Sequence, residues 1–339
     1  MNTPLEHFPP GSEQYISHPA HARSGIHPYP DKLYVVTMVE NPLRWRSRYW
    51  NYWTFAEQFV SSITELWTVE VAFGGRAFEI TSAGNPRHLQ LRTSSEIWHK
   101  ENALNLLIER LPAEANYIAC IDADLKFVRP DFAQETLQLL QHYDLIQMFS
   151  HLVDVDSEYQ PVNSGAAVGL AYLRATHPEL RPGSRVPTND DYSGIGSWGC
   201  PGGAWAYRKT ALNTIGGLLD WLITGAADFW MAKALYGEMT DVLQGQSFGA
   251  ALQNFALAWQ DGAVRLKQNI GHLPGTVNHY YHGPKAKRGY DRRRPLLQQF
   301  NPLTDIRRDV QGLYELVGDN LALRDGLRAI ARSRDEDAR

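Results

Sequence analysis

Hydrophobic and polar positions in the first 150 residues alternate between two periods. KLYVVTMVE (32–40) is a continuous β-rich run, as a strand buried on both faces reads, and Asn41-Pro42 breaks it. SRYWNYWTFAEQFVSS follows as a helix, with Tyr49, Trp53, Ala56 and Val60 at helical spacing. ELWTVEVAFGG reads as a second strand closed by Gly74-Gly75, and HLQLRT (88–93) as a third. Thr93 and Glu96 are spaced like a capping box. The helix expected there carries Ile97, Leu104, Leu107, Ile108 and Leu111 on one face and stops near Pro112. NYIACIDAD is a fourth strand, Pro130-Asp131 opens a helix to about Tyr143, and DLIQMFS is a fifth strand. Such alternation predicts an α/β fold, a mostly parallel sheet wrapped by helices, with ligands beyond the carboxyl ends of the strands.

Past residue 150 the pattern loosens. Residues 151–200 scatter Pro, Gly, Ser and Asp, which inside a domain marks a functional or mobile stretch. GGAWAYRK then reads as a short strand, ADFWMAKALYG as a helix and TVNHYYHG (276–283) as a strand. PKAKRGYDRRRP reads as a basic loop, and the remaining tail as amphipathic helix. The expected divisions are an N-terminal arm (1–31), a main domain (32–284), and a closing loop with a helical tail (285–339).

Composition removes several function classes. The 339 residues are 43% hydrophobic and 21% charged, and no apolar run approaches the roughly 20 residues that span a bilayer. The start, MNTPLEHFPPGSEQ, lacks the basic and apolar regions of a signal peptide. Cys120 and Cys200 are the only cysteines, so a disulfide framework is excluded and a cytoplasmic setting is expected, host cytoplasm if the protein is viral. A net charge of −4 argues against nucleic-acid binding by bulk charge, while leaving room for a local basic groove.

The candidate chemistry starts at YIACIDADLKFVRP (117–130). Asp122 and Asp124 end an apolar run and face one side of an extended segment, so a metal ion, a Lys or Arg, or water must lie between them. A hard divalent cation suits such oxygens and bridges to a diphosphate. The competing reading is a simple turn, where Asp is common. His282 follows a strand and precedes Lys285, Lys287, Arg288, Arg292, Arg293 and Arg294. An imidazole can complete a metal shell and the cations can meet a leaving diphosphate, unless the run is only a solvated loop. Asp228 stands before an apolar helix, as a cap or as a general base. Gly203 and Trp205 offer close backbone approach and a flat apolar face, or merely a tight turn before a strand. There is no G-x-G-x-x-G after the first strand, no P-loop and no G-x-S-x-G elbow.

The order of WHKENALNLLIERLP, YIACIDADLKF, GGAWAYRKTALNTIGGLLD, GAADFWMAKAL and NHYYHGPKAKRGYDRR resembles metal-dependent glycosyltransferases of the GT-A fold, closest to the family-2-like group. The resemblance covers roughly residues 32–310 and rests on motif order and spacing. It implies a GT-A type mixed, mostly parallel sheet flanked by helices, Mn2+ or Mg2+ as cofactor, and a nucleotide-sugar donor such as a UDP-sugar. By position, it implies Asp122 near ribose or metal, Asp124 and His282 on the metal, and Lys100 reaching the nucleotide. Thr37 and Glu40 fall where base and ribose sit, Gly203 and Trp205 border the sugar, and Lys287 and Arg288 meet the phosphates. Asp228 matches the acceptor-activating base of inverting members, although Ala227 precedes it where an acidic pair is commoner. The acceptor expected is a glycan or a hydroxylated base of modified DNA. Rival readings are a sugar nucleotidyltransferase, disfavoured because VTMVENPLRWR has no Gly-rich phosphate loop, and a catalytically inactive binding module of the same fold.

Overall fold

The computed structural model describes residues 32–162, 166–177 and 199–338. The expected N-terminal arm, and much of the irregular stretch before residue 200, lie outside the described residues. The described residues form thirteen strands: β1 Leu33–Glu40, β2 Thr64–Phe73, β3 His88–Thr93, β4 Tyr117–Ile121, β5 Leu125–Phe127, β6 Leu145–Gln147, β7 His151–Asp154, β8 Ala167–Val168, β9 Ala204–Arg208, β10 Ile270–His272, β11 Thr276–His279, β12 Ile306–Arg308 and β13 Tyr314–Leu316.

Seven of them form the central sheet, in the order β10-β6-β9-β4-β1-β2-β3. All its pairings are parallel except those of β9, which runs antiparallel to both β4 and β6. The sheet is buried on both faces, which explains the continuous apolar run of β1. Tyr34 and Val36 point into one core cluster, and Leu33, Val35 and Val39 into the other. A second sheet, β5-β11-β7-β8, stands beside the carboxyl end of β4, and β12 pairs with β13 as a small hairpin.

Several helices depart from their predicted faces or ends. Helix Arg46–Ala56 buries Asn51, Tyr52 and Phe55, and Phe59 continues that stripe, whereas Trp53 is 52% and Val60 88% exposed. This segment has aromatic residues on every side, so several helical stripes fit the period and packing on the sheet selects one. The capping box is not formed. The helix is Lys100–Ile108, with no side-chain cap, while the Thr93 hydroxyl donates to Glu315 and Glu96 pairs with Arg328. Helix Ala250–Ala263 is not among the predicted elements; it packs through Leu252, Ala256 and Ala263.

The tail is more than a helix. It comprises helix Tyr290–Gln298, the β12–β13 hairpin and helix Leu321–Ser333. Leu296, Phe300, Leu313, Leu323, Leu327 and Ile330 join the same core cluster as the sheet. Among the described residues, no helix is long and apolar enough to cross a membrane.

Candidate active site

The second sheet assembles the first cluster. His279 ends β11, and its register sets it opposite Leu125 on one side and Asp154 on the other. Asp124 immediately precedes Leu125, and its carbonyl accepts the Tyr280 N–H at 2.7 Å. Three residues after His279, His282 turns back toward the same point. Ligand atoms of Asp124, His279 and His282 all lie within 4.8 Å of one another. The two Nε2 atoms approach to 3.0 Å, and Asp124 Oδ2 is 3.6 Å from His282 and 3.8 Å from His279.

Electrostatics prepare these groups for a cation. His279 Nδ1–H donates to Asp154 Oδ1 at 2.7 Å, which turns the Nε2 edge of the ring toward the cluster. Burial, helped by Arg288 and opposed by Glu336, pushes His282 down to about 4, so its imidazole is neutral near pH 7. Burial alone would raise Asp124, but His279, His282, Arg288 and Lys100 outweigh it and hold the carboxyl below its ordinary range. Asp124 Oδ1 is buried without a hydrogen-bond partner. An orphaned carboxylate oxygen beside two imidazole rings is a donor set that fits a divalent cation.

Asp122 keeps different company. Its N–H donates to the Gly203 carbonyl at 2.9 Å, and its carboxylate forms an ion pair with Lys100. Burial and Asp124 raise the Asp122 pKa against the pull of Lys100. Burial would lower Lys100, but Asp122, Glu101 and Asp228 together raise it, which keeps the ammonium charged. Asp228 reaches this cluster from the first turn of helix Ala227–Leu235. Its Oδ1 accepts the Phe229 N–H at 2.8 Å, and its Oδ2 lies so close over Gly202 that any Cβ there would collide with it. Glu101, 4% exposed, is pushed up to about 8 by burial, with Lys100 opposing and Asp228 assisting.

Other predicted residues occupy less direct places. Thr37 is fully buried and donates its hydroxyl to the Ile121 carbonyl at 2.7 Å, tying β1 to the end of β4. Glu40 is 6% exposed and lies 3.1 Å from His99 Nδ1. Trp205 is packed in the core, its indole N–H donating to the Pro201 carbonyl at 2.8 Å. Lys287 is solvent-facing and paired with Asp335 at 2.5 Å, whereas Arg288 is 5% exposed. The basic segment is therefore structured: a short turn at Lys285–Lys287 leads into helix Tyr290–Gln298.

Trp45, Arg48, Trp98, Arg334 and Glu336, none of them singled out in the sequence, complete the surroundings. A cleft opens beside the end of β1, lined by Glu40, Trp45, Arg48, Trp98, Arg293 and Arg334 among others. Beyond it the segment Arg334–Asp337 crosses over Gly283, whose φ is +88° and whose added Cβ would sit 2.5 Å from the Arg334 carbonyl. Glu336 is fully buried against Arg48 and Arg334, and Asp337 accepts the N–H groups of Arg46 and Ser47 at the start of helix Arg46–Ala56. His279 had one local signal, the H-x-x-H spacing with His282. Arg48, Arg334 and Glu336 had none, because 288 positions separate Arg48 from Glu336.

No family model matches the chain, and no curated protein matches it. Among solved structures, it is similar to glucosyl-3-phosphoglycerate synthase from Mycobacterium tuberculosis in complex with Mn2+, uridine diphosphate and phosphoglyceric acid. Identity is 11% over 86% of this chain and 88% of that chain, with a TM-score of 0.35. A mycobacterial protein is similar at 12% identity over 88% of this chain and 86% of that one, with a TM-score of 0.36. Residues 1–349 of S. aureus TarS are similar at 10% identity, over 69% and 72% of the two chains, with a TM-score of 0.34.

Proposed function

We propose that the chain is a glycosyltransferase that moves a sugar from a nucleotide-diphosphate sugar to an acceptor hydroxyl. The observation that carries this reading is the convergence of Asp124, His279 and His282 beside the Lys100–Asp122 pair and Asp228. All of it lies beyond the carboxyl ends of β1 and β4, where sheets of this kind bind ligands.

Asp124, His279 and His282 would hold Mn2+ or Mg2+. Bound there, the cation would supply positive charge against a leaving diphosphate. The cleft next to Glu40 and Trp98 would take the nucleoside half of the donor, and Lys100 would face its phosphates. Asp228 would accept the proton of the acceptor hydroxyl as that oxygen attacks the anomeric carbon. The bond from that carbon to the phosphate oxygen would break, and its electron pair would leave with the diphosphate. Phe229 N–H fixes Asp228 Oδ1 and so aims Oδ2 past Gly202. This assignment makes the reaction inverting.

The test is a donor screen by thermal shift across UDP-, GDP- and ADP-sugars, followed by transfer assays with Mn2+ and with chelator. Acceptor trials would compare glycans with DNA carrying hydroxylated bases. A donor that stabilises the protein only with Mn2+, and is then consumed, supports the proposal. Failure of every nucleotide sugar to bind in the presence of Mn2+ would sink it.

A further inference from the structure

Three guanidinium groups lie near His282, and two of them share one carboxylate. Arg48 forms a paired contact with Glu336, Nε to Oε2 at 2.6 Å and Nη2 to Oε1 at 2.8 Å. Arg334 Nε bonds the same carboxylate, and its Nη2 lies 3.1 Å from His282 Nδ1. Arg288 donates from Nη2 to the Gly283 carbonyl at 3.2 Å, while its buried Nε has no partner. The other nearby anions are Asp124, which belongs to the proposed cation site, and Glu40, which lines the cleft with Arg48. With a divalent cation bound, three guanidiniums and the cation would exceed Glu336, Asp124 and Glu40 by two positive charges. Buried charge left uncompensated is costly, so the site calls for an anion of that order. A diphosphate supplies it, and the planar forks of Arg suit its paired oxygens.

We propose that Arg48, Arg288 and Arg334 form a diphosphate clamp, with Glu336 as the positioning residue that holds two of them. The proposal rests on the donor-binding reading above. Arg48 and Arg334 also line the cleft assigned to the nucleoside, and the Arg334 guanidinium lies 5.7 Å from the Trp98 ring centroid. The clamp thus lies between that cleft and His282, where a donor's phosphates would have to pass. Lys287, by contrast, is 51% exposed in its side chain and engaged with Asp335, so the clamp lies in the returning segment Arg334–Asp337 as well as in the basic run.

The experiment titrates the full chain, in the presence of Mn2+, with inorganic pyrophosphate, with UDP, GDP and ADP, and with the matching nucleosides. The variants are Arg334→Ala, Arg334→Lys, Arg288→Lys and Glu336→Gln. Loss of one charge-assisted hydrogen bond should weaken pyrophosphate and nucleoside diphosphate binding about tenfold or more in the Arg variants. Nucleoside affinity should stay within about twofold in Arg288→Lys, and in the Arg334 variants it should fall less than diphosphate affinity. Glu336→Gln should raise the donor KM more than it lowers kcat. Unchanged pyrophosphate binding in Arg334→Lys and Arg288→Lys, both folded, overturns the clamp. Equal losses for nucleoside and diphosphate also overturn it, because the residues would then only shape the pocket. Wild-type protein that binds neither pyrophosphate nor any diphosphate removes the clamp. Binding of pyrophosphate but no nucleotide keeps the clamp and removes the donor reading.

Discussion

Asp122 and Asp124 are two positions apart in the chain and take different partners, an ammonium for the first and two imidazoles for the second. Their substitutions should therefore differ in kind. Asp124→Ala should abolish manganese-dependent nucleotide binding while the protein stays folded; full activity of this variant in chelator would remove the metal role. Asp122→Ala should weaken nucleotide binding through a misplaced Lys100 and leave Mn2+ affinity, read by electron paramagnetic resonance, nearly intact. Asp228→Asn keeps shape but cannot take a proton, so kcat should fall about a hundredfold or more with little change in donor affinity. Near-normal turnover would leave Asp228 as a helix-start residue only. Glu101 gives a pH prediction. Its folded pKa, about 8, lies above the ordinary value of 4.5, so the folded state holds the extra proton between them. Stability from this group should thus fall as pH rises from about 4.5 to 8. Glu101→Gln should flatten that slope in chemical denaturation curves; an unchanged slope would contradict the assignment.

At the level of elements, the junction between Gly202 and helix Ala227–Leu235 is the most sensitive contact. A methyl at Gly202 meets the carboxylate of Asp228, a flexible side chain, and Gly202 has no left-handed φ to strain. Gly202→Ala should therefore cost less than about 1 kcal/mol of stability while lowering kcat by displacing Asp228. Loss of stability with kcat unchanged would show that the junction is only a packing contact. The same scale explains what could be read in the sequence. Strands β1, β2 and β4 were legible because a strand buried on both faces leaves a mainly apolar run, and β3, at the sheet edge, because Leu89 and Leu91 alternate with polar residues. The Asp122/Asp124 turn was legible because such runs rarely end in paired carboxylates. The buried stripe of helix Arg46–Ala56 was not, since its aromatic residues satisfy several helical faces. His279 was overlooked beside His282 because its role depends on the register of β11 against β5 and β7, which no local spacing encodes. The β12–β13 hairpin was hidden for a related reason: its strands have three residues each, too few to show a period.

For the whole molecule, the tail and the helices on one face of the sheet share one apolar cluster, the helices on the other face share a second, and β1 contributes to both. A cation bound at Asp124, His279 and His282 should therefore raise the melting temperature of the entire transition and not of one part. At a cation concentration of 100 times Kd the stabilisation would be about 2.7 kcal/mol. Calorimetry with Mn2+ and with chelator checks this, and His279→Ala should abolish the difference. An equal shift in that variant would place the ion elsewhere. The Glu336 contacts carry a consequence for how quickly the molecule matures. Arg48 meets Glu336 across 288 positions, and Asp337 meets Arg46 across 291. Contacts that close so long a loop form late, after the local pairings of β1 with β2 have repaid their own ordering cost. Refolding chains should regain sheet signal first and pyrophosphate binding afterwards. The interval between the two would be a period in which a native-like protein exists without its anion site.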